Sequence, residues 1–443
     1  MNFDLLIKKA KEANITEIEI YSQHKQGLNI NLFNRKVDKF VINNTKGIAV
    51  RGLYNNQMGY VSCENLSDDN IDFIIQKLID NAGVLTSEEE SIIFEGSNSY
   101  PEVKPADASF LSIDPQVKIE RLQKLEDAIK KKDPRITSVG YCMYNETKID
   151  TMIQNSKGLH LIKSEAYCFV YASAVAKDND DVKSFGDYII TNDFNKINIE
   201  ELANNIVDRA VALLNSSPVQ SDKYPIIFEN KVFADILQAY EPMFSGDSVL
   251  RKLTLLKDKL GDKIVSDKIT LIDDPLSTES YSQNAFDDEG VSCYRKEIIS
   301  NGVLNTFLHN LKTAHALNTK STGNGFKAGL NAPVSVQSNN LYIKKGTTSI
   351  NEMIKSIDRG LLITEVAGLH AGVNAVSGDF SLQSSGFLIE NKKITRPVSL
   401  IVVAGNFLDM LNQVEFVGDD LIFTAEQIGS PSVKISGLQV SGK

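Results

Sequence analysis

Residues 46–64, KGIAVRGLYNNQMGYVSCE, carry the reading of the fold. Strand formers run from Lys46 to Tyr54 and again from Met58 to Glu64. Asn55-Asn56 lies between them, and asparagine tolerates the left-handed backbone that a tight turn needs. Short strands joined in this way predict an antiparallel sheet with one solvated face. Towards the N-terminus, Ile18 and Ile20, then Leu28, Ile30 and Leu32, alternate with period 2 and extend the same meander, and residues 2–13 predict a helix before it. Towards the C-terminus, Ser67 caps a helix opened by Asp68 and Asp69. Ile71, Ile74, Ile75, Leu78, Ile79 and Ala82 form its apolar stripe.

Residues 95–114 hold two prolines and few large aliphatics, and read as a linker. Asp114-Pro115 supplies an N-cap and a first-turn proline for a helix faced by Leu122, Leu125 and Ile129. Residues 165–176 (EAYCFVYASAVA) read as a strand. The acidic run Asp178, Asp180, Asp181 reads as a hairpin tip, since a calcium loop needs a fuller ligand series. A further helix carries Ile199, Leu202, Ile206, Ala210 and Leu213. A second linker spans 215–225. Beyond it, Asn301-Gly302 marks a tight hairpin within 297–308, residues 386–398 suggest another, and 351–359 suggest a short helix. The fold class is α+β: an N-terminal antiparallel sheet with helices, and a mostly β, mixed C-terminal domain. The divisions are 1–95, 96–220 and 221–443, arranged as two main lobes.

The 443 residues are 42% hydrophobic and 23% charged, as in globular proteins, which excludes collagen-like and disordered classes. Lys and Arg total 47 against 57 Asp and Glu, a net charge of -10. Such a balance argues against a nucleic-acid partner or an anionic membrane surface. No apolar stretch approaches a membrane span, and the N-terminus does not read as a secretory signal. Cys63, Cys142, Cys168 and Cys293 are too scattered for a disulfide scaffold or a zinc ribbon. The expectation is a reduced, cytoplasmic protein.

Of the five histidines, His24, His160, His309, His315 and His370, none lies in H-E-x-x-H, and His309 and His315 do not share a helix face. They read as surface or packing residues. Gly246-Asp247-Ser248-Val249-Leu250 resembles an esterase nucleophile block but lacks a general-base histidine near the C-terminus, so it reads as a serine-containing turn. Gly437 with Gly442-Lys443 lacks the rest of a phosphate loop, and Gly323-Asn324-Gly325 with Gly329 misses the dinucleotide spacing. The acidic set Asp273, Asp274, Asp287, Asp288 and Glu289 could bind Mg²⁺ or act as acid and base. The same residues also suit turns, and that reading is preferred.

A series of blocks in the C-terminal half has a wider pattern: LIDDPL (271–276), FDDEGV (286–291), KSTGNG (320–325), SNNLYI (338–343), RGLLITEVAG (359–368), SGDFSLQSSGFLIENKKITRPV (377–398), VAGNFLDML (403–411) and VGDD (417–420). In order and spacing these resemble the TldD/PmbA family, and GIAVRGLYNNQMGYVSCENLS (47–67) is similar to that family's first domain. The resemblance implies a two-subunit peptidase acting on peptides and small unfolded proteins, long labelled a modulator of DNA gyrase. It also implies, in the TldD-type subunit, a zinc site made by H-E-x-x-x-H on a helix and a later cysteine. Here the corresponding helix is 232–244, VFADILQAYEPMF, whose motif positions hold Leu237, Gln238 and Pro242, and no cysteine follows Cys293.

The chain therefore resembles the PmbA/TldE-type subunit. The resemblance implies a non-catalytic, metal-free member of a heterodimer or larger complex, with zinc in a TldD-type partner and an extended peptide as substrate. No catalytic or metal residue is expected. Asp287, Asp288, Glu289 and Gly290, with Ser321, Thr322, Gly323 and Asn324, are expected to shape the chamber or touch substrate. Gly290→Val is expected to strain the fold, and Asp288→Asn to leave it intact. The rival readings are an independent hydrolase with an acidic metal site at Asp287–Glu289, and a gyrase-linked regulatory binding protein.

Overall fold

The computed structural model describes residues 1–82, 84 and 92–443. β1 (Ile15–Phe33) and β2 (Lys36–Tyr54) form a long hairpin, and β3 (Gln57–Cys63) follows through Asn55 and Asn56, both with positive φ. β4 (Ile136–Asn155), β5 (His160–Asp178) and β6 (Asp181–Thr191) complete an antiparallel sheet of order β3-β2-β1-β4-β5-β6. Glu19–Leu32 of β1 pairs with Cys142–Asn155 of β4, so the first and middle segments share one sheet. β2 begins ten residues before the strand read from sequence. Its outer half mixes Val37, Phe40, Val41 and Ile42 with Lys and Asn, and pairing with β1 carries the strand through those polar positions.

Alternation along β1 sets the two faces. Ile18 and Ile20 pack against α1 (Phe3–Glu12) and α2 (Ile71–Ala82), through Leu6, Ile74 and Leu78. Leu28, Ile30 and Leu32 pack against α3 (Pro115–Lys132) and α4 (Ile199–Ala212), through Leu122, Leu125 and Ile206. The intervening Glu17, Glu19 and Tyr21 look to the other face, which lines a groove. Ser67 and Asp114 cap as their sequence context implies, each accepting from a backbone N–H two residues on. One charged group breaks the apolar pattern beneath α3. Lys118 is buried, and its Nζ bonds both oxygens of Glu146 at 2.8 and 2.7 Å, while the Tyr144 hydroxyl donates to the same carboxylate at 2.6 Å.

The C-terminal lobe is built on two six-stranded sheets. One runs in spatial order Lys393–Asn406, Asp379–Glu390, Arg359–Ala367, Asp222–Phe228, Val433–Ser441 and Val414–Val417. The other runs Val303–Leu304, Lys296–Ser300, Leu271–Asp273, Leu341–Ile343, Ile428–Ser430 and Ile422–Phe423. Parallel and antiparallel pairs both occur, so the mixed, mostly β expectation matches this lobe. α5 (Asn230–Tyr240) shares their common core with Phe233, Ile236, Leu237 and Tyr240. Asn301 and Gly302, both at positive φ, close the hairpin read from sequence.

The stretch 95–114 is largely irregular but is no free linker. It is a strap. Tyr100 and Val103 pack beside Phe286, and Phe110 is fully buried under the first sheet. The Tyr100 hydroxyl donates to the Gly290 carbonyl at 2.8 Å, and Ser97 Oγ accepts from Ser292 N–H at 3.0 Å. Two aromatic residues suffice to anchor a segment poor in aliphatics. No helix of the described residues is long and apolar enough to cross a membrane.

Candidate functional site

Asp287 organises the first of the two glycine-containing blocks. Its Oδ1 accepts from the N–H groups of Glu289 (3.0 Å) and Val291 (2.9 Å), and its Oδ2 accepts from Gly325 N–H at 2.8 Å. One carboxylate thus closes its own turn and ties residues 286–291 to residues 320–325. Gly290 completes the turn at φ +83, where a Cβ would lie 2.6 Å from Leu159 Cδ2. Gly323 sits at φ +69 with the Ser292 carbonyl oxygen 2.7 Å from where its Cβ would be. Both positions combine left-handed backbone with close approach, so glycine is required.

Asn324 organises the second block. Its Nδ2 donates to Asp273 Oδ2 (3.0 Å) and to the Gln337 carbonyl (2.9 Å), and its Oδ1 accepts from Lys296 Nζ (3.1 Å) and Thr322 Oγ1 (2.8 Å). Lys296 also pairs with Asp273 at 2.8 Å, and Asp273 Oδ1 accepts from Asn339 N–H at 2.6 Å. His309 N–H donates to Thr322 Oγ1 at 2.6 Å, and Ser321 Oγ donates to the His309 carbonyl at 3.1 Å. The structure therefore brings together Asp273, Asp287–Gly290 and Ser321–Asn324. Asp274 lies apart, where its Oδ1 accepts from Leu276 N–H in a turn.

Asp288 and Glu289 turn towards the N-terminal sheet. Asp288 Oδ1 pairs with Lys163 Nζ of β5 at 2.9 Å, and its Oδ2 accepts from Lys327 N–H at 2.9 Å. Burial pulls the Lys163 ammonium down, but Asp288, with Glu165 and Tyr21, more than offsets this and holds it above the usual lysine range. Glu289 Oε2 accepts from Leu311 N–H at 2.7 Å. Burial pushes the Glu289 carboxyl up to about 7, against the opposing pull of Arg51. The expectation that Asp288→Asn leaves the fold intact took no account of Lys163, whose counter-charge an amide would remove, at a cost in stability.

Between these carboxylates and the sheet lies a groove of ≈ 1170 Å³. Its sheet wall presents Glu19, Tyr21, Arg51 and Tyr60, and its far wall presents Asp288, Glu289, Lys312, Lys327 and residues 330–334. Arg51 Nε donates to Glu19 Oε1 at 2.8 Å across the β1–β2 pair. Sequence reasoning missed Lys163, Lys296, Lys327 and Arg51. Lysines in strands ordinarily face solvent, and the signal that could have found two of them was the need of Asp273 and Asp288 for cationic partners, met by Lys296 and Lys163.

The remaining sequence candidates have structural tasks. His309 is buried with Nδ1 3.3 Å from Thr313 Oγ1, and burial lowers its pKa to about 4. Gly246 lets the His309 ring approach its backbone. Residues 246–250 form a short helix capped by Ser245, with Asp247 paired to Arg251. Asp178 and Asp181 flank the β5–β6 turn.

Compared with known families, residues 18–82 match the PmbA/TldA metallopeptidase domain 1, residues 108–214 its central domain and residues 221–442 its C-terminal domain. The chain belongs to the PmbA/TldD metallopeptidase family. It is 27% identical to the metalloprotease PmbA of Escherichia coli O157:H7, over 96% of this chain and 92% of that one. It is 28% identical to a Methanocaldococcus jannaschii metalloprotease, over 88% of this chain and 87% of that one. Among solved structures, a Thermotoga maritima protein described as a candidate modulator of a DNA gyrase superposes with a TM-score of 0.92 at 31% identity, covering 99% of both chains. Thermococcus kodakarensis TldE shares the fold with a TM-score of 0.92 at 22% identity, over 99% of this chain and 100% of that one.

The family name implies a metal, and the donor set here does not fit one. Leu237 is 1% exposed inside the C-terminal core. Pro242 is the second residue of the short 3₁₀ turn Glu241–Phe244 after α5, and its side chain has no donor atom to offer. Both Asp287 oxygens are taken by backbone N–H groups, and Asp288 is neutralised by Lys163. Among the described residues, no group of three or more His, Cys, Asp or Glu side chains is placed to hold a metal ion.

Proposed function

We propose that this chain is the metal-free, PmbA/TldE-type subunit of a two-subunit peptidase. It holds an extended peptide in the groove while a TldD-type subunit supplies zinc and cuts. The observation that supports the reading is at Leu237, Gln238 and Pro242, where the resemblance puts the zinc motif: Leu237 is buried in the core and the proline that follows the helix has no side-chain donor. The groove suits an extended chain. Its sheet wall mixes carboxylates, Arg51 and tyrosines, and so offers polar anchors for a backbone without selecting one side-chain sequence.

The independent-hydrolase reading is weaker, because both Asp287 oxygens accept from backbone N–H groups and Asp288 is paired with Lys163, which leaves Glu289 as a single carboxylate where a metal site needs several ligands. The test is to measure zinc content and cleavage of an unstructured peptide for the isolated chain, for a TldD-type subunit, and for the two mixed. The expected result is cleavage only in the mixture, with zinc held by the TldD-type subunit. About one tightly bound zinc per isolated chain, with cleavage lost in Glu289→Ala, would overturn the proposal.

A further inference from the structure

Lys327 reaches into the groove without a counter-charge. It ends the short strand Gly325–Lys327, which pairs with Val334–Val336. Its own N–H donates to Asp288 Oδ2 at 2.9 Å, so the backbone at its root is fixed on the far wall. Its Nζ lies 4.7 Å from the ring centroid of Tyr21, on the sheet wall. Among the described residues, no oxygen accepts from that ammonium and no carboxylate pairs with it. The aromatic face offsets part of the lost hydration, but an ammonium has three donors to place.

The neighbouring charges are already matched. Arg51 Nε is bonded to Glu19, Lys157 is paired with Glu17 at 2.9 Å, and Asp288 is paired with Lys163. Glu289 accepts from Leu311 N–H, and burial raises its carboxyl to about 7, so it is only partly charged at neutral pH. Burial also holds the Lys327 ammonium below the usual lysine range, with Asp288 opposing the fall, Arg51 adding to it and Glu19 opposing it. A peptide lying in the groove would cover this ammonium further. A cationic segment there would be repelled by Lys327 and Arg51, and a neutral one would replace water with at best a carbonyl. A carboxylate returns charge-assisted hydrogen bonds, which are roughly twice as strong as neutral ones.

We propose that Lys327 receives a carboxylate of the bound peptide, either its C-terminal group or an acidic side chain. Arg51 supports the same anion from the opposite wall, where its Nη2 has no acceptor. This inference rests on the reading of the groove as the holder of an extended peptide. It adds one anchor of fixed chemistry to walls that otherwise meet the backbone, and so gives the peptide a register.

The test is calorimetric titration of the full chain with short acetylated peptides of Ala and Ser. One ends in a free acid, one in an amide, and two further amides carry a single internal Glu or Gln. The expected result is that the acid binds ~tenfold or more tightly than the amide, or the Glu peptide than the Gln peptide. The first preference assigns the site to the chain end, the second to a side chain. Lys327→Met should bring the paired affinities together, and Lys327→Arg should keep them apart. Methionine retains the contact with Tyr21 and removes an unpaired ammonium, so Lys327→Met should melt no lower than the parent, and a misfolded variant is recognisable. Equal affinities within both pairs overturn the assignment, as does a preference that survives Lys327→Met, while peptide binding itself would leave the holding role standing. Binding of none of these peptides would overturn the holding role and the assignment with it.

Discussion

Two buried ion pairs in this molecule do different work. Lys118 and Glu146 lie within one lobe, between α3 and the sheet it covers, and Tyr144 completes their hydrogen bonding. Lys163 and Asp288 lie between lobes, one on β5 of the first sheet and the other in the loop 286–291 of the C-terminal lobe. The first pair fixes how one helix sits on one sheet. The second helps set the spacing of the groove, because the same loop also carries Glu289 and receives the strap from Tyr100. A buried pair is weak evidence for net stability, and its position shows what it specifies.

The sharpest way to break this comparison is Lys118→Met. It strands Glu146 in the core and should cost ~3–5 kcal/mol in denaturant unfolding. Adding Glu146→Leu should recover most of that loss, because two apolar groups no longer need each other's charge. A double variant as unstable as the single would show that the pair stabilises rather than specifies. A smaller effect is expected from Gly290→Val, ~1–3 kcal/mol, from φ +83 and the approach of Leu159. Asp288→Asn should fall in the same range of ~1–3 kcal/mol, by leaving Lys163 buried and unpaired. Both act between lobes, so both should expose the strap to limited proteolysis before the sheet unfolds, whereas Lys118→Met should not separate the two events.

The effect confined to the narrowest conditions concerns pH. Glu289 has its pKa raised to about 7 by burial, above the ordinary 4.5. A raised carboxyl contributes stability that is fully present below the ordinary value and is lost as pH rises through the folded one. Parent protein should therefore lose ~2–3 kcal/mol relative to Glu289→Gln between pH 4.5 and 7, and little further above pH 8. Melting curves of the two proteins across that window check it. Identical pH profiles would show that Arg51 neutralises Glu289 in the folded chain.

Much of the fold was legible because its turns are chemically marked. Asn55-Asn56 and Asn301-Gly302 adopt positive φ where the sequence says they should, and Asp114-Pro115 opens α3. The stripe Ile71, Ile74, Ile75, Leu78 and Ala82 is buried as its spacing predicts. What stayed hidden depended on distant partners. Residues 36–45 mix the strand formers Val37, Phe40, Val41 and Ile42 with Lys, Asp and Asn, and pairing with β1 carries the strand through the polar positions. Asp287 and Asn324 were legible as turn formers, yet nothing near them in sequence names Lys163 or Tyr100. The expected tolerance of Asp288→Asn compared the shape and one shared acceptor of two side chains, and left out the ammonium opposite.

The strap has a consequence for the order in which the protein is made. Tyr100 and the Gly290 carbonyl that receives its hydroxyl are separated by 190 residues. The first sheet and its helices are complete only at Ala212, so at ~5–20 residues per second of synthesis they wait on the order of 4–16 s for Gly290 with that anchor missing. Through that interval Tyr100 has no Phe286 to pack on, Lys163 has no carboxylate opposite, and Glu19 and Arg51 stand on an open sheet face. The nascent chain is therefore a finished sheet bearing an unfastened belt. Arrival of the turn at Gly290 is the moment at which an exposed face becomes a groove.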